Sequence, residues 1–231
     1  MKVEIMSPVG QIAAAHPLTT RVFARHQIDY CCGGGLPLDK ACDKKGLDAN
    51  KVLKEIKDEI ERNADQKTQS WAAFSPEQLI DHILETFHDP LYEELPRLAG
   101  MAQKVLEVHR DKDPEVLTTL SSVVLGLRYE LESHMATEEK TLFPMIKQGK
   151  WTAALGPIAI MQREHEKVGQ ALDKIRKLTQ DFKVPDEACT TWKALWHGLE
   201  RLEDDLHSHI HIENNVLFFK VLDASRKGIQ T

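Results

Sequence analysis

The chain has 231 residues, 42% of them hydrophobic and 29% charged, enough apolar material for one large domain or two unequal ones. Thirty basic against thirty-six acidic side chains leave a net charge of −6. That balance argues against a general nucleic-acid binder, whose usual footprint is a basic excess. The longest weakly polar stretch, Trp151 to Met161, is about half of what a membrane span needs, and the first residues hold no apolar signal region, so a soluble cytoplasmic protein is expected.

The four cysteines are Cys31, Cys32, Cys42 and Cys189. Two of them are adjacent, a spacing poorly suited to an extracellular disulfide framework and better suited to a reducing compartment. In chain order, residues 9–30 alternate short helical stretches around His16-Pro17 and stop at Tyr30-Cys31-Cys32-Gly33-Gly34-Gly35, where three glycines end a helix. Leu47 to Arg62 resumes a helical apolar period through Val52, Leu53, Ile56 and Ile60. The polar, aperiodic run Asn63 to Ser70 is expected to be a linker, which delimits a small helical domain over residues 1–65.

Long helices are predicted from there to the end. Ser75 is a candidate N-cap with Pro76 at the first helical position and Gln78 at the third. A second helix should run from Asp113-Pro114 to about Lys147, stopped by Gly149. A third is expected from near Gly156-Pro157 to about Phe182, and a fourth from near Pro185-Asp186 into Leu217-Phe218-Phe219. Four such helices with short connections predict an all-α, up-and-down bundle over residues 76–225.

Two segments of this bundle repeat each other. Glu130, His134, Glu138 and Leu142-Phe143 correspond to Asp205, His209, Glu213 and Leu217-Phe218, in the frame acid-x3-His-x3-Glu-x3-Leu-Phe. Residues four apart stack on one helix face, so each triplet should form a polar column. A single His-x3-Glu is commonly a surface ion pair. Two copies in one extended frame on different long helices point instead to a metal site. The other two helices offer His82 or His88, six apart and so on different faces, and His165. Four histidines and two glutamates suit two iron or manganese ions better than one zinc, which closes at four ligands.

Taken together, these marks resemble the RIC (repair of iron centres) family, the ScdA/YtfE-like di-iron proteins, over nearly the whole length. The marks are Asp29-Tyr30-Cys31-Cys32-Gly33-Gly34, Asp81-His82-Ile83 with His88, Ser133-His134-Met135 with Glu138-Glu139, Glu164-His165, and His209 with Glu213-Asn214-Asn215. The resemblance implies a hemerythrin-like bundle holding two non-haem iron ions, oxo- and carboxylate-bridged. Its ligands would be His88, His134, Glu138, His165, His209 and Glu213, with Glu138 and Glu213 bridging. His88 is preferred to His82 on this ground alone. Pro90, two residues on, removes a helical hydrogen bond and should kink the helix near His88. Phe219 stands where the first repeat has Pro144 and should affect the helix end more than the metal.

The resemblance further implies repair of iron–sulfur clusters damaged by nitric oxide or peroxide, with damaged iron–sulfur proteins and nitric oxide as partners. Cys31 and Cys32 read either as small residues packing a tight turn or as a thiol pair that passes electrons or iron or takes up nitric oxide, and the resemblance favours the second. A hemerythrin-type gas carrier or sensor would give that pair no task, and a di-iron nitric oxide reductase, forming nitrous oxide, would use it for electron delivery. The electron donor is unnamed, and a homodimer is left open. Glu130 is assigned to a role beside the ligands or in a channel, and Asp205 is its counterpart. His207 and His211 are expected to be solvated, Cys189 to be packed, and Met135, Met145 and Met161 to lie in the core.

Overall fold

The computed structural model describes residues 2–63 and 70–228. Most of the expected linker therefore lies outside the described residues. The helices are α1 (Val9–Ala15), α2 (Thr20–Arg25), α3 (Leu38–Asp43), α4 (Ala49–Arg62), α5 (Pro76–Ile83), α6 (Asp89–His109), α7 (Pro114–Thr137), α8 (Phe143–Lys147), α9 (Trp151–Leu178), α10 (Thr190–Ile212) and α11 (Phe218–Gly228). Single π-turns, Leu84–His88, Glu138–Leu142 and Glu213–Leu217, join α5 to α6, α7 to α8 and α10 to α11. Among the described residues there is no strand, only an isolated bridge between Pro8 and Pro37. No described helix is long and apolar enough to cross a membrane.

The chain forms two compact units. One comprises residues 1–81, 149–155 and 207–231, and the other residues 82–148 and 156–206. In the first, Val9, Ile12, Val22, Phe23, Leu38, Val52 and Ile56 close a core of their own. Its longest helix before residue 81, α4, starts where the Asp48 carboxylate accepts from the Asn50 and Lys51 amides, satisfying two orphan donors of the first turn. In the second unit, α7 presents Leu117, Leu120, Val124, Leu127 and Leu131 in alternating steps of three and four, the apolar stripe of a bundle helix.

Several expected boundaries move. The capping box at Ser75 forms as predicted, with Gln78 N–H donating to Ser75 Oγ and Ser75 N–H to Gln78 Oε1. Helix α9 starts at Trp151, ahead of Gly156-Pro157, because Gly149 takes φ +69° and the Lys150 carbonyl already accepts from Ala154. Pro157 is thus inside the helix. The same helix stops at Leu178, short of Phe182, where Gln180, Asp181 and Phe182 adopt positive φ. Pro185 heads a turn, its carbonyl accepting from Ala188, so α10 begins only at Thr190.

Candidate metal centre

The buried stripe of α7 does not end at Leu131. Continued in steps of three and four, it reaches His134 and Glu138, both buried. On α9 the stripe Ile158, Met161, His165, Val168 and Leu172 carries His165, and along α10 Leu199, Leu202 and Leu206 lead to His209 and Glu213. Each of these side chains replaces a leucine-type knob by a metal-binding group. That is how a bundle aims ligands inward without disturbing its helices.

Each π-turn carries one ligand candidate at its end. Glu138 and Glu213 open the second and third, and His88 closes the first. The hydrogen bonds run from residue i+5 to residue i: Asp89 N–H to the Leu84 carbonyl, Phe143 to Glu138 and Phe218 to Glu213. The extra residue per turn shifts the phase of the stripe. It also absorbs Pro90 and Pro144, each seated in the first turn of the resumed α-helix, where a missing amide hydrogen costs little. The third π-turn forms with Phe219 in place of a proline, so proline is tolerated here and is not the cause.

In the second unit four of these groups converge. His134 Nε2 lies 3.0 Å from His165 Nε2, and Glu138 Oε2 lies 3.4 Å from His134 Nε2 and 3.5 Å from His88 Nε2. Two donors each about 2.1 Å from one ion stand roughly 3.0 Å apart at right angles and 3.4 Å apart at the tetrahedral angle. The two distances from His134 Nε2 match edges of one such polyhedron, so His134, His165 and Glu138 fit a first-row divalent ion, while His88 meets the same carboxylate from outside that group. Glu138 is fully buried between His88 and His134. A carboxylate so placed is stable only when paired or coordinating. In the first unit, His209 Nε2 lies 3.0 Å from Glu213 Oε1, both buried.

The rings are held by carboxylates at their far nitrogens. His88 Nδ1 is 2.8 Å from Glu139 Oε1, and His134 Nδ1 is 2.8 Å from Glu164 Oε2. With Nδ1–H donating outward, Nε2 keeps its lone pair for the ion. Tyr92 donates to Glu139 as well, at 3.2 Å, and burial followed by that carboxylate pushes its phenol up to about 12.

Several expectations change. Glu130 is exposed and makes no hydrogen bond or ion pair among the described residues, so the acid that orients His134 is Glu164. Each four-residue step overshoots a helical turn by about 40°. The column therefore holds for its histidine and second acid, whereas Glu130 and Asp205 drift onto the exposed face. Glu130 instead lines a cleft of about 290 Å³ with Tyr129, Ser133, His134, Glu164 and Lys167. The choice between the two histidines of the first long helix falls as expected: His88 is fully buried, and His82 is half-exposed against Thr86. His207 is half-buried, and His211 is buried rather than solvated. Burial pushes His211 down to about 4, and its neutral Nδ1 accepts from Asn215. Cys189 is exposed, 3.2 Å from His109 Nε2, and Met145 is only half-buried, while Met135 and Met161 are core.

Cys31 and Cys32 are not joined in a disulfide, the first being buried and the second half-buried. The Asp29 carboxylate accepts from the amides of Cys31, Cys32 and Gly33, closing the loop on itself. Cys31 is held well above the usual thiol range by its hydrogen bond to Cys32 and by burial. Sequence reasoning missed Asn215. Its amide donates to the Tyr30 and Cys31 carbonyls at 3.2 and 2.9 Å, two residues beyond Glu213.

Buried histidines and a glutamate at coordinating distances on helical stripes define a cation-binding helical protein of hemerythrin type. Residues 79–221 match the Hemerythrin HHE cation binding domain, and residues 5–59 match ScdA_N, a Domain of Unknown function (DUF542). The chain is 42% identical over 216 residues to the iron-sulfur cluster repair protein YtfE of Escherichia coli O8 (strain IAI1), which covers 93% of this chain and 96% of that one. Identity and coverage are the same for the protein of that name from Shigella boydii serotype 18 (strain CDC 3083-94 / BS512). The chain belongs to the RIC family: all-α, with a small N-terminal helical domain ahead of a hemerythrin-like four-helix bundle.

Proposed function

We propose that this protein is a di-iron protein that repairs iron–sulfur clusters damaged by nitrosative and oxidative stress. The observation that carries the reading is the buried group His134, Glu138 and His165, with His88 on the other side of the same carboxylate. The relatives named for iron–sulfur cluster repair give that metal site its task.

In this reading His88, His134, Glu138, His165, His209 and Glu213 would hold two iron ions, with Glu138 and Glu213 as the carboxylates that the family resemblance assigns to both. The repeated frame supports pairing the His209–Glu213 half with the other four, because each half then contributes one His-x3-Glu helix and one further histidine. Iron bound there would supply a redox-active and exchangeable metal. Glu139 and Glu164 orient the imidazoles by accepting from Nδ1–H, which turns Nε2 inward, and the apolar stripes above the ligands exclude water. The cleft lined by Glu130 gives solvent a path to His134, which suits Glu130 to handling ions or protons on the way in.

The Cys31–Cys32 pair passes electrons or iron, and the protein works in the cytoplasm on iron–sulfur proteins nitrosylated by nitric oxide. Domains over residues 1–65 and 76–225 divide the two tasks, a partition supported by the spans of the two family models.

The test combines iron-loaded protein with a nitrosylated iron–sulfur enzyme and follows the return of its activity. Recovery should be faster with the protein than without it, and slower with Cys31→Ala/Cys32→Ala. Equal recovery with and without the protein refutes the repair reading. Iron content of His134→Ala and Glu213→Ala should fall in both variants, and full iron in both would refute the ligand assignment.

A further inference from the structure

The thiol loop has a geometry that a merely packed turn does not require. Cys31 Sγ and Cys32 Sγ stand 3.8 Å apart, far outside the ~2.05 Å of a disulfide. Two thiolates each about 2.3 Å from a tetrahedral ion are separated by roughly 3.8 Å. Asp29 Oδ1 lies 3.3 Å from Cys31 Sγ, and one ligand atom from each of Asp29, Cys31 and Cys32 lies within 4.8 Å of the others. We propose that Cys31 and Cys32, with Asp29 at the third corner, form a second metal site for a single thiophilic divalent ion of the ferrous or zinc class. The proposal deepens the reading that the thiol pair handles iron and rests on it.

The loop is built before any ion arrives. Asp29 gathers three successive amides, and Asn215 ties down the carbonyls of Tyr30 and Cys31. A Cβ on Gly10 or on Gly34 would come within 2.2 Å of Asn215 Oδ1, so two backbone segments close on that side chain as tightly as glycine allows. The two sulfurs are therefore presented with little ordering left to do on binding. Among the described residues Asp29 Oδ2 accepts only from the Gly33 amide, which leaves it a lone pair for an ion. Asp29 is exposed and Cys32 half-buried, which leaves a path from solvent. Three protein donors leave the fourth position of a tetrahedral ion open, the arrangement of sites that exchange ligands rather than of closed structural ones. Binding releases the two thiol protons to solvent and moves no electrons.

Cadmium(II) is the probe, because its thiolate charge-transfer absorption in the ultraviolet has no counterpart with nitrogen and oxygen ligands. Iron-loaded full-length protein should develop this band and saturate at a single equivalent. Cys31→Ser and Cys32→Ser should each weaken binding by about tenfold or more, and the double variant should lose the band. Cys42→Ser and Cys189→Ser should leave it unchanged. No band in the wild type, or a band that survives in the double variant with its helical circular dichroism intact, overturns the site. The readout is independent of repair. A band without any repair activity leaves the site standing and removes the function proposed above, whereas repair without a band does the reverse.

Discussion

Replacing Glu164 with glutamine perturbs one hydrogen bond and almost nothing else. The carboxylate lies 2.8 Å from His134 Nδ1, and its side chain is 39% exposed, so the amide fits the same space. Glutamine can still accept from Nδ1–H, but it no longer carries the charge that raises the basicity of the imidazole. Losing such an outer partner typically weakens metal binding by about 10- to 100-fold. Water already screens Glu164, so the lower end applies, about tenfold or ~1.4 kcal/mol. Glu139→Gln should match it, since Glu139 stands 2.8 Å from His88 Nδ1 with its side chain 30% exposed. Glu130→Gln should leave affinity within about twofold, because Glu130 makes no hydrogen bond or ion pair with His134 among the described residues. The assay is competition for iron(II) against a chromogenic chelator, with circular dichroism to verify folding. Equal affinities for Glu164→Gln and wild type, or a larger loss for Glu130→Gln than for Glu164→Gln, would refute the assignment of orienting partners.

Three further outcomes follow from packing. Gly34→Ala would place its Cβ 2.2 Å from Asn215 Oδ1 and 2.7 Å from the Tyr30 carbonyl, so thermal melts should show a loss of about 2 kcal/mol or more, and thiol labelling of Cys31 should accelerate. Arg176→Ala strands Glu203, which is buried and held by several guanidinium contacts. With Arg176 itself 31% exposed, urea unfolding should report about 2–3 kcal/mol, below the ~3–5 kcal/mol of a fully buried pair. Asp48→Ala removes the cap that accepts from Asn50 and Lys51 and should cost about 1 kcal/mol by the same measurement; no change would mean that α4 is held by its core face alone.

Much of the site was legible because helical periodicity is a property of the chain itself. The steps Leu127, Leu131, His134, Glu138 and Leu202, Leu206, His209, Glu213 place polar groups on an apolar stripe, and a stripe must face inward wherever its helix packs. The acid at the head of each repeat looked equivalent at four-residue spacing. Continued phase drift put Glu130 and Asp205 outside instead.

Other features could be settled only by packing between distant segments. Glu139 and Glu164 are 51 and 30 residues from the rings they hold, and no local pattern separates them from surface acids. His88 over His82, and the burial of His211 against Tyr30, likewise depend on which face meets a neighbour. The sequence by itself determined the helices, their buried stripes and the inward facing of His134, Glu138, His209 and Glu213, since these follow from local spacing. The tertiary structure alone decided which carboxylate orients which imidazole and that Asn215 seats the thiol loop, because such contacts join residues as far apart as positions 31 and 215.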